Sequence, residues 1–517
     1  MAGRKREMGA LALSGFALFV LADSAAAQQQ PAVTQRGVPP AEAVEDWLIQ
    51  WPLPPGAERY RDLDGKRMHT YVMDQALISR RYRDQINPQY WGRIIGRESD
   101  AESAQWLSSK FTAAGLSDVR IQEFPLIEQW YPKSFRVTVT TGGRTTELAS
   151  AQPFYRSPGT PAAGLNNLEA VYVGRGAESD FIGRDVRGKA VFIYRLTPGT
   201  PELGGRVRAE QLGAAAIFDV HMLPGNIKYQ AYPGGDRSAN AATVPSFSLG
   251  NDDGLMVQEM IAAAQAGQPV RVNVNLEIEM TTGLETALVW GTLPGATDET
   301  IYIMAHRDGW FDSGSDNAAG VAVMIGMAEH YAKIPQSQRR RTMVFIGSDG
   351  HHNSGPGSGP GLAWLGDPVR RDELFGKTAL FINSEHPAAM QTTVRPRYVE
   401  HAGDQIFWTN APIGQQWYAG GPTRPALQAL AQDAFREFGV TTYFDPNPRP
   451  PAGECSRFSQ FVPCVATSEF YHYFQSDHET PETVPWTGLE STARAYARIV
   501  DRVNQMDLSD LQRPATN

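Results

Sequence analysis

Three apolar runs in the second half of the chain end in side chains that can bind a metal ion or transfer a proton. These side chains are His306 after IYIMA, His351 and His352 after MVFIGSDG, and Glu385 after FINS. Short apolar runs that alternate with polar turns and helical patterns are typical of strands in an α/β sheet. Because ligands of such sheets lie beyond the carboxyl ends of the strands, we expect these side chains to converge at one edge.

Two further residues extend this set of candidate ligands. Asp316 lies on the turn that follows His306, and His478 lies in the later segment SDHETPETV. A single residue of this kind is usually an ordinary hydrogen-bonded loop residue, but here the pattern recurs at successive strand ends. Imidazole and carboxylate groups are ligands that zinc prefers, and the set exceeds the three or four that one ion needs. We therefore predict one or two Zn²⁺ ions, with other divalent metals as alternatives and one carboxylate bridging if there are two.

Composition restricts the class of protein. The chain has 517 residues, 42% of them hydrophobic and 20% charged, and a net charge of -9. This is ordinary globular material, long enough for two or three domains, and it is not typical of a disordered or fibrous protein. The acidic balance and the lack of a basic stripe argue against nucleic-acid binding.

The first 27 residues have the pattern of a cleaved secretory signal. A basic start at residues 4–6 precedes an apolar run near residues 10–22 and the small residues that end at Ala27. A membrane anchor is the alternative, but the run is shorter than the roughly 20 residues needed to span a bilayer. We therefore expect a secreted or periplasmic protein with no membrane span in its mature chain. Export also favours a local disulfide between Cys455 and Cys464.

The remaining chain divides by composition into three parts. Residues 28–72 are predicted to be an N-terminal leader rich in Gln and Pro, and residues 128–282 to be an inserted β-rich domain. Residues 73–127 and 283–510 are predicted to form one discontinuous α/β domain. We expect its sheet to be mixed, mostly parallel and flanked by helices.

Several motifs, taken in order, resemble a known family. GTLPG, IYIMAHRDGW, MVFIGSDG, INSE and the HETPET segment are similar to zinc aminopeptidases and carboxypeptidases of the branch that includes glutamate carboxypeptidase II and the transferrin receptor. GKAVFIYR, EQLGAAAIF and VPSFSLG resemble the protease-associated domain of that branch. The resemblance implies the zinc-peptidase fold and a peptide or small amide as the substrate.

The resemblance also implies a role for individual positions. Asp316 would bridge two metal ions, and Asp308 would orient a histidine ligand. The remaining ligands would be His306 and Glu385 on one ion and His352 and His478 on the other.

The pair His351-His352 departs from the family pattern, which has two adjacent glutamates there. His352 can replace a carboxylate ligand, and His351 can serve as the general base because its pKa is ordinarily near 6.5. Loss of the usual base can cost about 10²- to 10⁴-fold in rate. Three hypotheses follow: a metal-dependent hydrolase of peptide or related amide bonds, a non-catalytic binding module, and a single-metal enzyme with cyclase-like chemistry.

Other polar residues receive ordinary interpretations. We interpret four histidines as surface or hydrogen-bonding residues: His330, His386, His401 and His472. Family resemblance places Glu454 on the substrate side, although acidic loop residues are usually just solvated. The 39 residues after His478 (517 − 478) are too few for the helical dimerisation domain of that branch, so we expect no dimer of that type, and the sequence specifies no oligomeric state.

Overall fold

A computed structural model describes most of the chain beyond residue 51. The described residues are 52–194, 204–221, 223, 225–231, 242–264, 268–350, 352, 359–395, 405–412, 416–420, 424–440, 442, 453–468, 471 and 473–512. The predicted signal peptide and the candidate base His351 lie outside them, as do His401 and His472. Among the helices of this part, none has both the length and the hydropathy needed to cross a membrane.

The described residues contain nineteen strands. In chain order they are β1 (Gly92–Arg93), β2 (Ser117–Pro125), β3 (Gln129–Thr141), β4 (Arg144–Glu147), β5 (Gln152–Pro153), β6 (Leu165–Tyr172), β7 (Ala190–Tyr194), β8 (Ala216–Val220), β9 (Ser246–Leu249), β10 (Arg271–Thr281), β11 (Glu285–Leu293), β12 (Thr300–His306), β13 (Gly309–Trp310), β14 (Thr342–Ser348), β15 (Thr378–Ser384), β16 (Met390–Arg395), β17 (Gln405–Pro412), β18 (Gln416–Ala419) and β19 (Cys464–Ser468).

Eleven α-helices accompany these strands in the described ranges. They are α1 (Gly65–Gln85), α2 (Glu98–Ala113), α3 (Gly205–Gln211), α4 (Asn251–Ala263), α5 (Gly320–Ala332), α6 (Pro360–Leu365), α7 (Arg371–Phe375), α8 (Pro425–Glu437), α9 (Cys455–Phe458), α10 (Trp486–Val503) and α11 (Leu508–Gln512). Helix α1 begins before residue 73, so it crosses the predicted boundary between leader and α/β domain.

A seven-stranded mixed sheet forms the centre of the α/β part, in the order β18-β19-β15-β12-β14-β11-β2. Only its middle is parallel: β12 is parallel to β14 and β15, and β15 is parallel to β19. The outer pairs are antiparallel. The predicted mixed α/β fold is confirmed, and it is the parallel centre that places His306 opposite Ser348 at one edge.

Both faces of the central strand β12 are buried. Its residues alternate between two apolar cores, as the pleat of a strand requires. Ile301 and Ile303 belong to the core that includes residues of α5 and α10, whereas Tyr302 and Met304 belong to the core that includes residues of α6 and α9. This double burial explains why β12 reads as a continuous apolar run.

Residues 129–281 form a second sheet with its own core. Its eight strands follow the order β4-β3-β10-β6-β7-β8-β9-β5. Phe192, Phe218 and Phe247 stack at its centre. Strands β2 and β11 flank this segment in sequence and pair antiparallel, so the chain leaves and re-enters the α/β part at neighbouring points.

The second sheet region also contacts the loop between β19 and α10. The backbone N–H of Gln230 donates to the carbonyl of Gln475 at 2.9 Å. Asp477 and Lys228 are joined twice, because the N–H of Asp477 donates to the Lys228 carbonyl and the N–H of Lys228 donates to the Asp477 carboxylate, both at 3.0 Å. The loop is therefore attached to both sheets.

The first turn of α5 packs against the end of β15 without space for a side chain. A Cβ at Gly320 would lie 2.1 Å from the carbonyl oxygen of Ser384 and 2.2 Å from Oδ1 of Asn317. Asn317 itself accepts from the N–H of Gly320 at 3.1 Å and donates to Ser384 at 3.0 Å. The close approach thus joins the turn that carries Asp316 to the strand that carries Glu385.

We expect Gly320→Ala to lower the free energy of unfolding by about 1–3 kcal/mol, because backbone atoms must move to admit the methyl group. The matched control is Gly326→Ala in the same helix, where the new Cβ would meet only the flexible end of Met68. There the gain in helix propensity, about 1 kcal/mol, should offset the repacking. Urea unfolding measures both, and equal effects of the two substitutions would contradict the packing argument.

Candidate metal centre

Three imidazoles surround the buried carboxylate of Asp316. Oδ1 of Asp316 lies 3.0 Å from Nε2 of His306 and 3.0 Å from Nε2 of His386, and Oδ2 lies 3.1 Å from Nε2 of His352. All four side chains are at most 3% exposed. Neither oxygen of Asp316 accepts a hydrogen bond of ordinary geometry. Nitrogen and oxygen donors in this arrangement fit a zinc ion.

Asp308 connects the imidazole of His306 to the backbone of His352. Its Oδ1 lies 2.8 Å from Nδ1 of His306, and its Oδ2 accepts from the backbone N–H of His352 at 2.7 Å. An ionised carboxylate only accepts, so Nδ1 of His306 donates and, in the neutral ring, Nε2 carries the lone pair that a metal needs. The predicted orienting role of Asp308 has this contact as its support.

The electrostatics of the centre favour a cation beside Asp316. Burial lowers the pKa of His306, but the neighbouring carboxylates of Asp308 and Asp316 outweigh it and the pKa is raised well above its ordinary value. Burial raises the pKa of Asp316, yet the charges of His352 and His386 outweigh it and the net pKa is well below the ordinary value. A buried carboxylate requires such compensation, either by protons on the rings or by a metal ion.

The turn that carries Asp316 is held by a second buried carboxylate. Oε1 of Glu479 accepts from the N–H groups of Ser315 and Asp316 at 3.0 and 2.6 Å, and Oε2 accepts from the N–H of Gln475 at 2.7 Å. Burial, followed by the charge of Asp316, raises the pKa of Glu479 to about 8. Gln475 also contacts the site directly, since its Nε2 lies 3.3 Å from Nδ1 of His352.

A buried arginine, Arg93, binds the backbone of the loop that leads to Asp316. The guanidinium of Arg93 donates to the carbonyls of Arg307, Asp312 and Ser313 at 2.7–3.2 Å. Burial lowers its pKa to about 10, opposed by the charges of nearby carboxylates that include Asp308. Arg93 therefore remains a cation at neutral pH and balances part of the buried negative charge.

Glu385 lies at the expected strand end but pairs with another carboxyl group. It is buried, accepts from Nδ2 of Asn383 at 2.7 Å, and hydrogen-bonds to Glu454. Burial, followed by the charge of Glu454, raises the pKa of Glu385 well above its ordinary value. Glu454 is 1% exposed, so the solvated alternative for this residue is wrong. The short helix after Glu454 begins at Cys455, which forms the predicted disulfide with Cys464.

The structure brings together only some of the predicted ligands. His306, Asp316 and His352 lie in the cluster, whereas Glu385 and His478 belong to neither group of described side chains that could share an ion. His478 pairs with Asp477 at 2.8 Å and stacks on Tyr473, and its side chain is 28% exposed. His386 lies in the cluster instead, where it is buried and contacts Asp316, so it is a hydrogen-bonding residue and not a surface one. His330 does make an ordinary hydrogen bond, to Asp62 at 2.7 Å.

Sequence reasoning missed His386, Gln475 and Glu479. His386 directly follows Glu385, so the strand end indicates both residues equally, and only the backbone conformation decides which one faces Asp316. A φ of 45° at His386 is not readable from the sequence. Gln475 and Glu479 lie in the same segment as His478, where the ordinary preference for imidazole as a metal ligand favoured His478.

The turn that leads to His352 is anchored by Asp349. Its carboxylate accepts from the N–H groups of Gly361 and Leu362 at 2.7 and 3.1 Å, at the start of α6. The carbonyl of Gly350 accepts from the N–H of Gly359 at 3.0 Å, which holds these two residues next to each other. Burial raises the pKa of Asp349 to about 7, although these N–H groups and Arg307 oppose it.

This raised pKa predicts a pH dependence of stability. Between about pH 4 and 7 the folded chain holds a proton on Asp349 that the unfolded chain has released, so this group makes stability fall as pH rises through that window. Asp349→Asn should flatten the dependence, measured as the difference in urea-unfolding free energy between pH 5 and 7.5. Asp367→Asn removes the charge of a partly exposed capping carboxylate elsewhere and serves as the control. An unchanged slope in Asp349→Asn would contradict the assignment.

Part of the chain, which includes this cluster, matches a known protein family. Residues 289–448 match Peptidase family M28, a segment that includes the cluster around Asp316. Comparison with the sequences of curated proteins gave no match.

Solved structures give the fold. A Peptidase M28 precursor from Shewanella amazonensis SB2B is 16% identical with a TM-score of 0.65, over 92% of this chain and 99% of that one. The zinc aminopeptidase BSAP from Bacillus subtilis is 16% identical with a TM-score of 0.57, over 89% and 98%. An aminopeptidase from Aneurinibacillus sp. strain AM-1 is 17% identical with a TM-score of 0.52, over 87% and 96%. Residues 289–448 thus match Peptidase family M28, the chain has the fold of these peptidases, and it is a metallopeptidase-like hydrolase.

Proposed function

We propose that this chain is an exported, zinc-dependent hydrolase of peptide or related amide bonds. The observation that carries the proposal is the buried cluster of imidazoles around Asp316 within the M28 domain. Buried carboxylates and imidazoles that perturb one another's pKa values are characteristic of functional sites. The disulfide is consistent with an oxidising compartment, and the basic and apolar pattern of the first 27 residues supports export.

His306, Asp316 and His352 are the proposed metal ligands with direct geometric support. Glu385 and His478 remain predictions from the sequence without such support. The number of ions, one or two, and their identity as zinc rather than another divalent metal are part of the proposal. Imidazole and carboxylate donors are the ligand types found in catalytic zinc sites, which keep one position open for water or substrate.

In the proposed reaction, the metal ion and the side chains of the chain have different roles. A bound zinc ion would polarise the scissile carbonyl and lower the pKa of a water molecule. Asp308 holds the ring of His306 in one tautomer through Nδ1. His351 is our proposed general base. The ring of Trp310 is buried and packs 4.8 Å from the ring of His352, measured between centroids.

We further propose membership in the branch of glutamate carboxypeptidase II and the transferrin receptor. The ordered motifs from HRDGW to HETPET support this, and the separate sheet of residues 129–281 is consistent with a protease-associated domain at 128–282. Glutamate preference is not carried over, because the basic pocket residues of that branch have no match here. Peptides or small amides are the proposed substrates.

The test is hydrolysis by the purified mature protein. We expect activity on a panel of aminoacyl p-nitroanilides and of free and end-blocked peptides, loss of that activity after chelation, and its return with Zn²⁺. His351→Ala should lower kcat by about 10²- to 10⁴-fold while zinc content is unchanged, as removal of a general base predicts. A zinc-loaded protein that is inactive on the whole panel would favour the binding-module hypothesis, which the replaced glutamate pair motivates.

Asp308→Asn should weaken zinc binding by about 10- to 100-fold, the usual effect of losing a partner that orients a ligand. The amide cannot accept at both former oxygens, so either His306 or the N–H of His352 loses its acceptor. Asp477→Asn alters a His–Asp pair of the same 2.8 Å length at His478 and is the matched control. Competition with a chromophoric chelator measures both affinities, and equal losses would argue that His478 is also a ligand.

A further inference from the structure

The carboxylate of Asp316 has two unequal sides. On the Oδ1 side, two imidazoles lie at 3.0 Å, those of His306 and His386. On the Oδ2 side, among the described residues, one imidazole lies within ion-pair distance, that of His352 at 3.1 Å. One ligand atom each from His306, Asp316 and His386 lies within 4.8 Å of the others, so these three can share an ion.

We propose that His386, rather than Glu385 or His478, is the third ligand of the metal that His306 and Asp316 bind. The inference deepens the proposed function and rests on it for the presence of a metal at this centre. The ligand that follows β15 is then His386, and not Glu385, which the sequence indicates.

The separations fit a shared ion. Zinc–nitrogen and zinc–oxygen bonds of 2.0–2.1 Å at tetrahedral angles put ligand atoms about 3.3 Å apart. The observed 3.0 Å separations from Oδ1 to the two Nε2 atoms are close to this value. Because Nδ1 of His306 contacts Asp308, Nε2 is the ring nitrogen that faces Oδ1 of Asp316. A metal ion between these two atoms would take the place of the proton that otherwise joins them.

The backbone of His386 is arranged for this contact. Its φ of 45° lies in the left-handed region. This backbone conformation costs free energy for a residue with a side chain, and it is concentrated at functional sites. The N–H of His386 donates to Oδ1 of Asn317 at 3.3 Å, next to Asp316 in the chain. The hydroxyl of Ser315 donates to the carbonyl of Ala388 at 2.6 Å. Hydrogen bonds therefore join the segments that carry Asp316 and His386 on both sides of these two residues.

The surroundings hold the imidazole in place. Its ring lies 5.3 Å from the ring of Phe474 and 6.0 Å from that of Tyr471, measured between centroids. The side chain is 3% exposed. Glu385, by contrast, is engaged with Glu454 and Asn383, and His478 is engaged with Asp477. A ligand should be preorganised by its neighbours in this way.

The test compares zinc binding by three variants of the full mature chain. His386→Asn is chosen because asparagine tolerates a left-handed backbone and has no imidazole. It should lower zinc affinity by more than about 100-fold, beyond the effect of losing an orienting partner. His478→Asn and Glu385→Gln should retain the wild-type affinity and zinc content. Chelator competition and elemental mass spectrometry give these values, and unfolding of the metal-free proteins verifies that each variant folds.

A second readout is independent of activity. The visible absorption of the Co²⁺-substituted protein reports the ligands, so it should change in His386→Asn and stay the same in His478→Asn. Wild-type zinc affinity in His386→Asn would overturn the inference. So would a loss of zinc affinity in Glu385→Gln or His478→Asn while His386→Asn keeps it. Neither result would contradict the proposed zinc hydrolase. A wild-type chain that binds no zinc would also overturn the inference. Zinc that is lost only in His386→Asn from a protein without hydrolytic activity would support the ligand and refute the proposed function.

Discussion

The buried negative charge of Asp316 is the constraint on which the rest of this structure depends. A carboxylate away from water is tolerated only with hydrogen bonds or counter-charges. Three imidazoles contact this carboxylate, and the Arg93 guanidinium binds the carbonyl of Asp312 in the adjoining loop. The backbone of its turn is held by Glu479, a second buried carboxyl group whose pKa is raised to about 8 by burial and by the charge of Asp316. Such an arrangement is stable when a cation is present, which is why a metal centre explains it better than packing does.

The sequence predicted the strands better than the ligands. Apolar runs that end in polar residues located β12, β14 and β15 correctly, because buried parallel strands leave a strong signal in sequence. The choice between Glu385 and His386 depends on one φ angle, and the choice among Gln475, His478 and Glu479 depends on how a loop folds against another sheet. These are tertiary properties that spacing alone does not encode. His351 remains a prediction, since it lies outside the described residues.

The ligand set bears on the chemistry of the centre. Histidine is neutral as a ligand, so exchanging carboxylates for imidazoles leaves more net positive charge on a bound dication. Such an ion attracts electrons from a carbonyl or a water molecule more strongly, but it has fewer nearby carboxylates to accept protons. In the proposed hydrolase, proton transfer would then depend on groups such as His351, or on Glu385 and Glu454, which share a hydrogen bond.

Two backbone–backbone hydrogen bonds and one backbone-to-carboxylate hydrogen bond between residues 228–230 and 475–477 join the inserted sheet to the loop that supports Asp316. A ligand that binds only the assembled centre stabilises every element on which assembly depends, by an amount set by its concentration and affinity. If the centre binds a metal ion as proposed, its occupancy is therefore thermodynamically linked to docking of the two sheets. By reciprocity, separation of the inserted sheet from this loop would then weaken metal binding, even though that sheet contributes no described ligand.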